Sequence, residues 1–233
     1  MKRLLVVAAF LGALAFGTWW LLRQQRSAAV LPPKPRTLAD ALQAIEPTAG
    51  PRVRAFCKRA GVAYPPERLI FIANKKERRI DLLVAQEGRY RLVHSWPVLA
   101  ASGGPGPKLR EGDRQVPEGF YRFELLNPNS SFHLSLRVNY PNPEDIRRGA
   151  GEGITPAELG SDIMIHGGAV SIGCLAVGDP AVEEIFLLVA RTGLDHAELL
   201  ILPDERLTVM DDRPWVNDLY ARLRERMGEL DRR

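Results

Sequence analysis

Ile163-Met164-Ile165-His166-Gly167-Gly168-Ala169-Val170-Ser171-Ile172-Gly173-Cys174 is the stretch on which the reading of this chain turns. A short apolar strand, Asp162 to His166, delivers a histidine into a glycine turn, and a cysteine follows eight positions later. Cysteine attacks as the thiolate, and a neighbouring imidazole can take its proton. Gly173 lets a carbonyl oxygen approach the backbone, so the N–H groups of Gly173 and Cys174 can hold the oxyanion of a tetrahedral intermediate. Ser171 can donate to a substrate or brace the turn. No Asp or Glu lies between Asp162 and Asp179, so a backbone carbonyl such as that of Gly167 is left to orient the ring. The same residues admit plainer readings. A buried cysteine packs as a small hydrophobe, a strand-end histidine serves structure, and Cys57 with Cys174 can form a disulfide in an oxidising compartment. Zinc fits less well, since one Cys and one His leave two ligands to find and there is no CxxC or HExxH.

Working outward, the chain reads as β-rich α+β. Leu69 to Ala73, Arg79 to Ala85 and Arg89 to Leu99 are rich in β-formers and separated by short polar turns, a β-meander. Ala101 to Gly119 is a long Gly- and Pro-rich loop, of the kind that carries function in compact domains. Phe120 to Leu126 is a further strand. Phe132 to Tyr140 alternates, with Phe132, Leu134, Leu136, Val138 and Tyr140 on one face and His133, Ser135, Arg137 and Asn139 on the other. Asp179 caps a helix with Pro180 at its first position, and Leu199 to Leu202 closes the strands. Before this core, Thr37 caps a short helix that Pro47, Gly50 and Pro51 should break. A second short helix then runs from Val53 to Ala60 and ends at Gly61. Pro214 to Leu230 reads as a charged terminal helix.

His166-Gly167 followed by Ser171-Ile172-Gly173-Cys174 resembles the active-site motif of the YkuD-type L,D-transpeptidases, enzymes of peptidoglycan. Gly106-Pro107-Lys108, Glu111-Gly112-Asp113 and Pro117-Glu118-Gly119-Phe120-Tyr121 are similar to that family as well. Leu126-Asn127-Pro128-Asn129-Ser130, His133-Leu134-Ser135-Leu136 and Tyr140-Pro141-Asn142 resemble its YafK-like branch. The likeness covers about residues 69–202. It implies a catalytic domain of mixed sheets with a few helices, in which Cys174 is the nucleophile, His166 the general base and the Gly167 carbonyl the third partner. It implies an oxyanion hole from the N–H groups of Gly173 and Cys174, and no metal or organic cofactor. His133, on a polar strand face, and Lys108, in the loop, join Ser171 as substrate-binding candidates. For His133 a structural hydrogen bond, and for Lys108 a solvated loop charge, are the competing readings. Two features depart from the common pattern: the spacer from His166 to Ser171 is short, as in the YafK-like branch, and Leu175-Ala176 stands where an arginine often follows the cysteine.

Charge places this domain. Lys plus Arg is 32 and Asp plus Glu 28, a net of +4. Residues 1–26 hold Lys2, Arg3, Arg23 and Arg26 and no acid, so residues 27–233 balance at 28 of each sign. A nucleic-acid binder needs a concentrated basic face, and the body of the chain has none in its overall balance. The four charges flank Leu4 to Leu22, 19 uncharged and mostly apolar residues with Trp19 and Trp20 near the end. As a helix this run reaches roughly 28 Å, close to a bilayer's hydrocarbon thickness. Residues 1–26 are therefore expected to be a membrane anchor, or a cleaved signal, that exports the rest. Residues 27–36 follow as a Pro-rich spacer, residues 37–68 as a helical lead-in, and residues 203–233 as a helical extension after the catalytic domain. Together with export, the YkuD-type resemblance implies acyl transfer on peptidoglycan stem peptides in the periplasm, with an amine of a second stem or an envelope lipoprotein as acceptor. Hydrolysis through the same site is the first rival, and a non-catalytic wall-binding module the second.

Overall fold

The computed structural model describes residues 35–231. The expected anchor lies outside the described residues, as does most of the spacer. Among the described residues no helix is long and apolar enough to cross a membrane.

Among the described residues nine strands form one mixed sheet: β1 (Leu69–Asn74), β2 (Arg79–Gln86), β3 (Arg89–Pro97), β4 (Ala100–Ala101), β5 (Gly119–Asn127), β6 (Ser135–Val138), β7 (Met164–His166), β8 (Leu175–Ala176) and β9 (Ala197–Leu202). Their order is β3-β2-β1-β9-β5-β6-β7-β8-β4. The meander of β1, β2 and β3 is antiparallel, as the polar turns between its strands require. β9 returns parallel to β1 after a helical crossover. β5 joins the two halves. Gly119 to Arg122 pair with β9, and Phe123 to Asn127 pair with β6, with an irregularity between Phe123 and Leu125. β6 pairs in turn with the histidine strand, β7, antiparallel, with Ser135 opposite His166.

Among the described residues four α-helices accompany the sheet: α1 (Leu38–Ala60), α2 (Pro143–Gly151), α3 (Asp179–Thr192) and α4 (Pro214–Asp231). α1 is continuous, where two short helices were expected. Thr37 and Asp40 cap each other's backbone at its start, and Gly61 closes it at φ 69°. Pro47 and Pro51 sit inside it, both exposed. Each removes one i to i−4 bond and crowds the carbonyl four residues back, a cost of about 3 kcal/mol in a helix interior. The buried stripe Ala41, Ile45, Ala49, Val53 and Phe56 runs straight past them in steps of four and three, and burying it outweighs that cost. α2 was not foreseen, although Asn142 caps it with Pro143 in its first turn and Asp145 completes the box.

The main core lies between the sheet, α1 and α3. A second cluster fills the other face, where Ile70 and Ile72 of β1 and Leu200 and Leu202 of β9 meet Val216, Leu219, Tyr220 and Leu223 of α4. All six residues of β1 are buried, because both its faces are covered.

Candidate active site

β7 and β8 run parallel, with Ile165 opposite Leu175 and His166 opposite Ala176. Extending that register one residue puts Cys174 opposite Met164. Paired residues face the same side of a sheet, and so do residues two apart on a strand. Cys174 and His166 therefore emerge on one face, roughly 6.6 Å apart along the strands. Ile165 and Leu175 point to the other face and are buried in the core. Both His166 and Cys174 line a cleft of about 650 Å³. Its walls come from the loop at Lys108 to Arg114, from Ser130 and Phe132, and from Gly160 to Met164.

His166 is 3% exposed. Its Nδ1 lies 2.6 Å from the Gly167 carbonyl oxygen. A carbonyl only accepts, so Nδ1 carries the hydrogen and Nε2 keeps its lone pair. Phe132 stacks on the ring at 4.6 Å. Burial pushes the imidazole pKa down, and the bond to Gly167 pulls it part of the way back. The Cys174 thiol points at the Asp162 carbonyl, 3.7 Å away. Burial pushes its pKa up and the Met164 backbone pulls it down, while Asp162 adds to the rise and Lys108 opposes it. The resting pair is thus a thiol beside a neutral imidazole.

The turn between them is braced from three sides. A side chain at Gly167 would put its Cβ 2.4 Å from Asp179 Oδ1 and 2.5 Å from the Phe132 carbonyl, so only glycine fits. Asp179 accepts the Gly168 N–H at 2.9 Å instead of capping its own helix, as had been expected of it. Gly173 stands at φ 131°, with the Gln115 carbonyl 3.5 Å from where a Cβ would be.

Three expected contacts with substrate take other partners. Ser171 Oγ donates to the Cys174 carbonyl at 2.6 Å and accepts the Gly173 N–H at 3.2 Å, so it braces the turn. That bond also occupies one of the two N–H groups expected in the oxyanion hole. The Cys174 N–H bonds to no other group among the described residues. His133 precedes β6, which starts at Ser135 and not at Phe132; its backbone is left-handed at φ 70°. Its ring turns away from the cleft to Glu183 of α3, Nε2 to Oε1 2.9 Å. Lys108 does line the cleft, but its ammonium is neither solvated nor free. It pairs with Asp113 at 2.8 Å and donates to the Arg110 carbonyl at 2.6 Å. Asp113 also accepts the N–H groups of Leu109, Arg110 and Gln115, which knots the loop. Both cysteines are free, Cys57 buried on α1 with its pKa pushed up to about 11 by burial. The disulfide reading thus has no support in this geometry. Among the described residues no group of three or more His, Cys, Asp or Glu side chains is placed to hold a metal.

A family model of the YkuD L,D-transpeptidase catalytic domain matches residues 68–198. The chain belongs to that family. Over 117 residues it is 38% identical to the Escherichia coli (strain K12) protein named "Putative L,D-transpeptidase YafK", a span of 49% of this chain and 44% of that protein. The chain thus covers less than half the length of the curated relatives it matches. Among solved structures, the helical cell shape determining protein Pgp2 of Campylobacter jejuni is 21% identical with a TM-score of 0.48, covering 73% of this chain and 61% of that one. Bd1075 of Bdellovibrio bacteriovorus is 22% identical with a TM-score of 0.44, covering 72% and 58%. At these values neither likeness transfers a role to any residue here.

Within the YkuD domain of this chain, sequence reasoning missed Phe132, Asp113 and Asp179 as parts of the site. Phe132 reads as a core-facing strand residue until the strand is seen to start later. Asp113 follows a glycine in a loop, the setting in which Asp side chains bond nearby backbone N–H groups.

Proposed function

We propose that this chain is a peptidoglycan L,D-transpeptidase that works through a thioester on Cys174. The observation that carries the reading is the shared cleft face of Cys174 and His166, with His166 Nδ1 held by Gly167 and Nε2 left as the base. His166 takes the thiol proton as sulfur attacks the carbonyl of an L-to-D amide in a stem peptide. The carbon–nitrogen bond then breaks, and the same proton goes to the leaving amine of the D-residue. An amine from a second stem or an envelope lipoprotein next attacks the thioester, giving its proton to His166, and the new amide forms as the thiol is restored. The Cys174 N–H supports the oxyanion, joined by the Gly173 N–H on release from Ser171.

Hydrolysis through the same acyl-enzyme is the second reading. The short connection from His166 to Cys174 leaves Val170 61% and Ile172 82% exposed, and so does little to keep water from the thioester. Incubating the protein with muropeptides, with and without an amine acceptor, separates the two by mass spectrometry. Joined products support transfer; shortened stems alone support cutting. Cys174→Ala should abolish both while circular dichroism stays unchanged, and retained turnover would sink the mechanism. We place the domain in the periplasm on the strength of the apolar run at residues 4–22. Recovery of the full chain from cells in the cytosolic fraction would remove that placement.

A further inference from the structure

Away from the reacting atoms lies a buried ionic cluster that the mechanism does not use. Lys75 follows β1, and its side chain is 6% exposed. Its three ammonium hydrogens meet three acceptors: the Gly106 carbonyl at 2.9 Å, the Val116 carbonyl at 2.9 Å and Glu118 Oε1 at 2.8 Å. Glu118, with 0% exposure, takes the Gly106 N–H on the same oxygen at 2.9 Å. Its other oxygen takes the hydroxyl of Tyr220, which reaches in from α4. The buried charges are paired and each has further partners. Buried polar networks fix one geometry when they are complete and cost stability when they are broken.

The geometry of that cluster bears on the cleft. Gly106 and Val116 are the two ends of the loop whose middle, Lys108 to Arg114, forms one cleft wall. Lys75 and Glu118 close the neck of this loop. Just inside the neck, the Gln115 carbonyl lies 3.5 Å from where a Cβ on Gly173, the residue before Cys174, would stand. A shift of the neck therefore moves both the wall and the turn that carries Cys174. Tyr220 lies beyond residues 68–198, the part that matches the family.

We propose that Lys75, Glu118 and Tyr220 are positioning residues, a clamp through which α4 sets the cleft loop against the Gly173–Cys174 turn. The link to turnover rests on the transpeptidase reading; the link to loop geometry does not. Tyr220→Phe keeps the ring and removes only the hydroxyl. Hydrogen exchange followed by mass spectrometry should then show residues 106–116 and 171–174 exchanging about fivefold faster, the factor carried by one hydrogen bond, with β1 and β9 unchanged. In parallel, kcat/KM on muropeptides should fall about tenfold, a modest share of what a misplaced catalytic group costs. Faster exchange spread evenly over the domain, or confined to α4, overturns the clamp, because a merely structural tyrosine behaves in one of those ways. If the loop and turn loosen in the variant but the wild type turns over no muropeptide, the clamp stands and the transpeptidase reading falls.

Discussion

His166 combines deep burial with one fixed and one open ring nitrogen, and the two effects set its pH behaviour together. Burial disfavours the imidazolium, so the folded pKa lies below the ordinary value. In the proposed mechanism acylation needs the neutral ring. The acid limb of kcat/KM should therefore fall below about pH 6.5, where a free imidazole would place it. Stability follows the same sign: it drops as the pH falls below the unfolded value, where the unfolded chain takes a proton that the folded one resists. The raised thiol pKa of Cys174 makes the complementary prediction that alkylation by iodoacetamide accelerates only towards alkaline pH. Fast alkylation that is flat across neutral pH would mean a preformed thiolate–imidazolium pair and would contradict the resting state described above. Residue types and spacing alone singled out His166, Gly167, Gly173 and Cys174. The destinations of Ser171, His133 and Lys108 were hidden, because a polar side chain's partner depends on what the fold brings near it. Glu183 is 50 residues from His133, and nothing local announces the pair.

At the scale of elements, most strands were legible from β-formers bounded by turn residues. The failures fell where a local rule met a longer-range one. Pro47 and Pro51 break helices by their chemistry, yet the apolar stripe of α1 crosses both. The helix is tied to α3, where Arg52 reaches Glu183 at 3.4 Å and also pairs with Glu184, whose other oxygen takes the indole N–H of Trp96 on β3 at 2.7 Å. Both prolines face solvent, so the carbonyls they leave unbonded, those of Gln43 and Pro47, can turn to water. Pro47→Ala restores one helix bond and relieves the crowding at Gln43, while the unfolded chain regains some freedom. The net should be about 1–2 kcal/mol of added stability, a rise of a few degrees in Tm for a domain of this size. A lower Tm would show that the proline is needed where it stands. The short β6 teaches the converse. Its alternating pattern extends back to Phe132, but His133 takes a left-handed conformation, and the pairing begins only at Ser135.

For the molecule as a whole, the charge sum was informative only once it was located. The excess belongs to residues 1–26, and the balanced remainder matches a domain whose charges are largely spent on one another, as in the Lys75–Glu118 and Lys108–Asp113 pairs. The extent of the folding unit was harder to read, because a charged terminal helix looks dispensable. α4 instead covers the sheet face that bears Ile70, Ile72, Leu200 and Leu202, with Val216 and Leu223 both fully buried against it. Leu223→Ala leaves a cavity in a cluster only one helix thick and should cost about 2–5 kcal/mol. Denaturant titration would read this as a lower midpoint at unchanged slope. Ending the chain after Pro203 would strip that face altogether, and the product should bind a hydrophobic dye and lose its cooperative transition. If the shortened chain unfolds cooperatively with the midpoint of the full one, α4 is an appendage. If it does not, the folding unit is longer than the span that matches the family, and α4 is as much a part of the catalytic domain as the strand that carries His166.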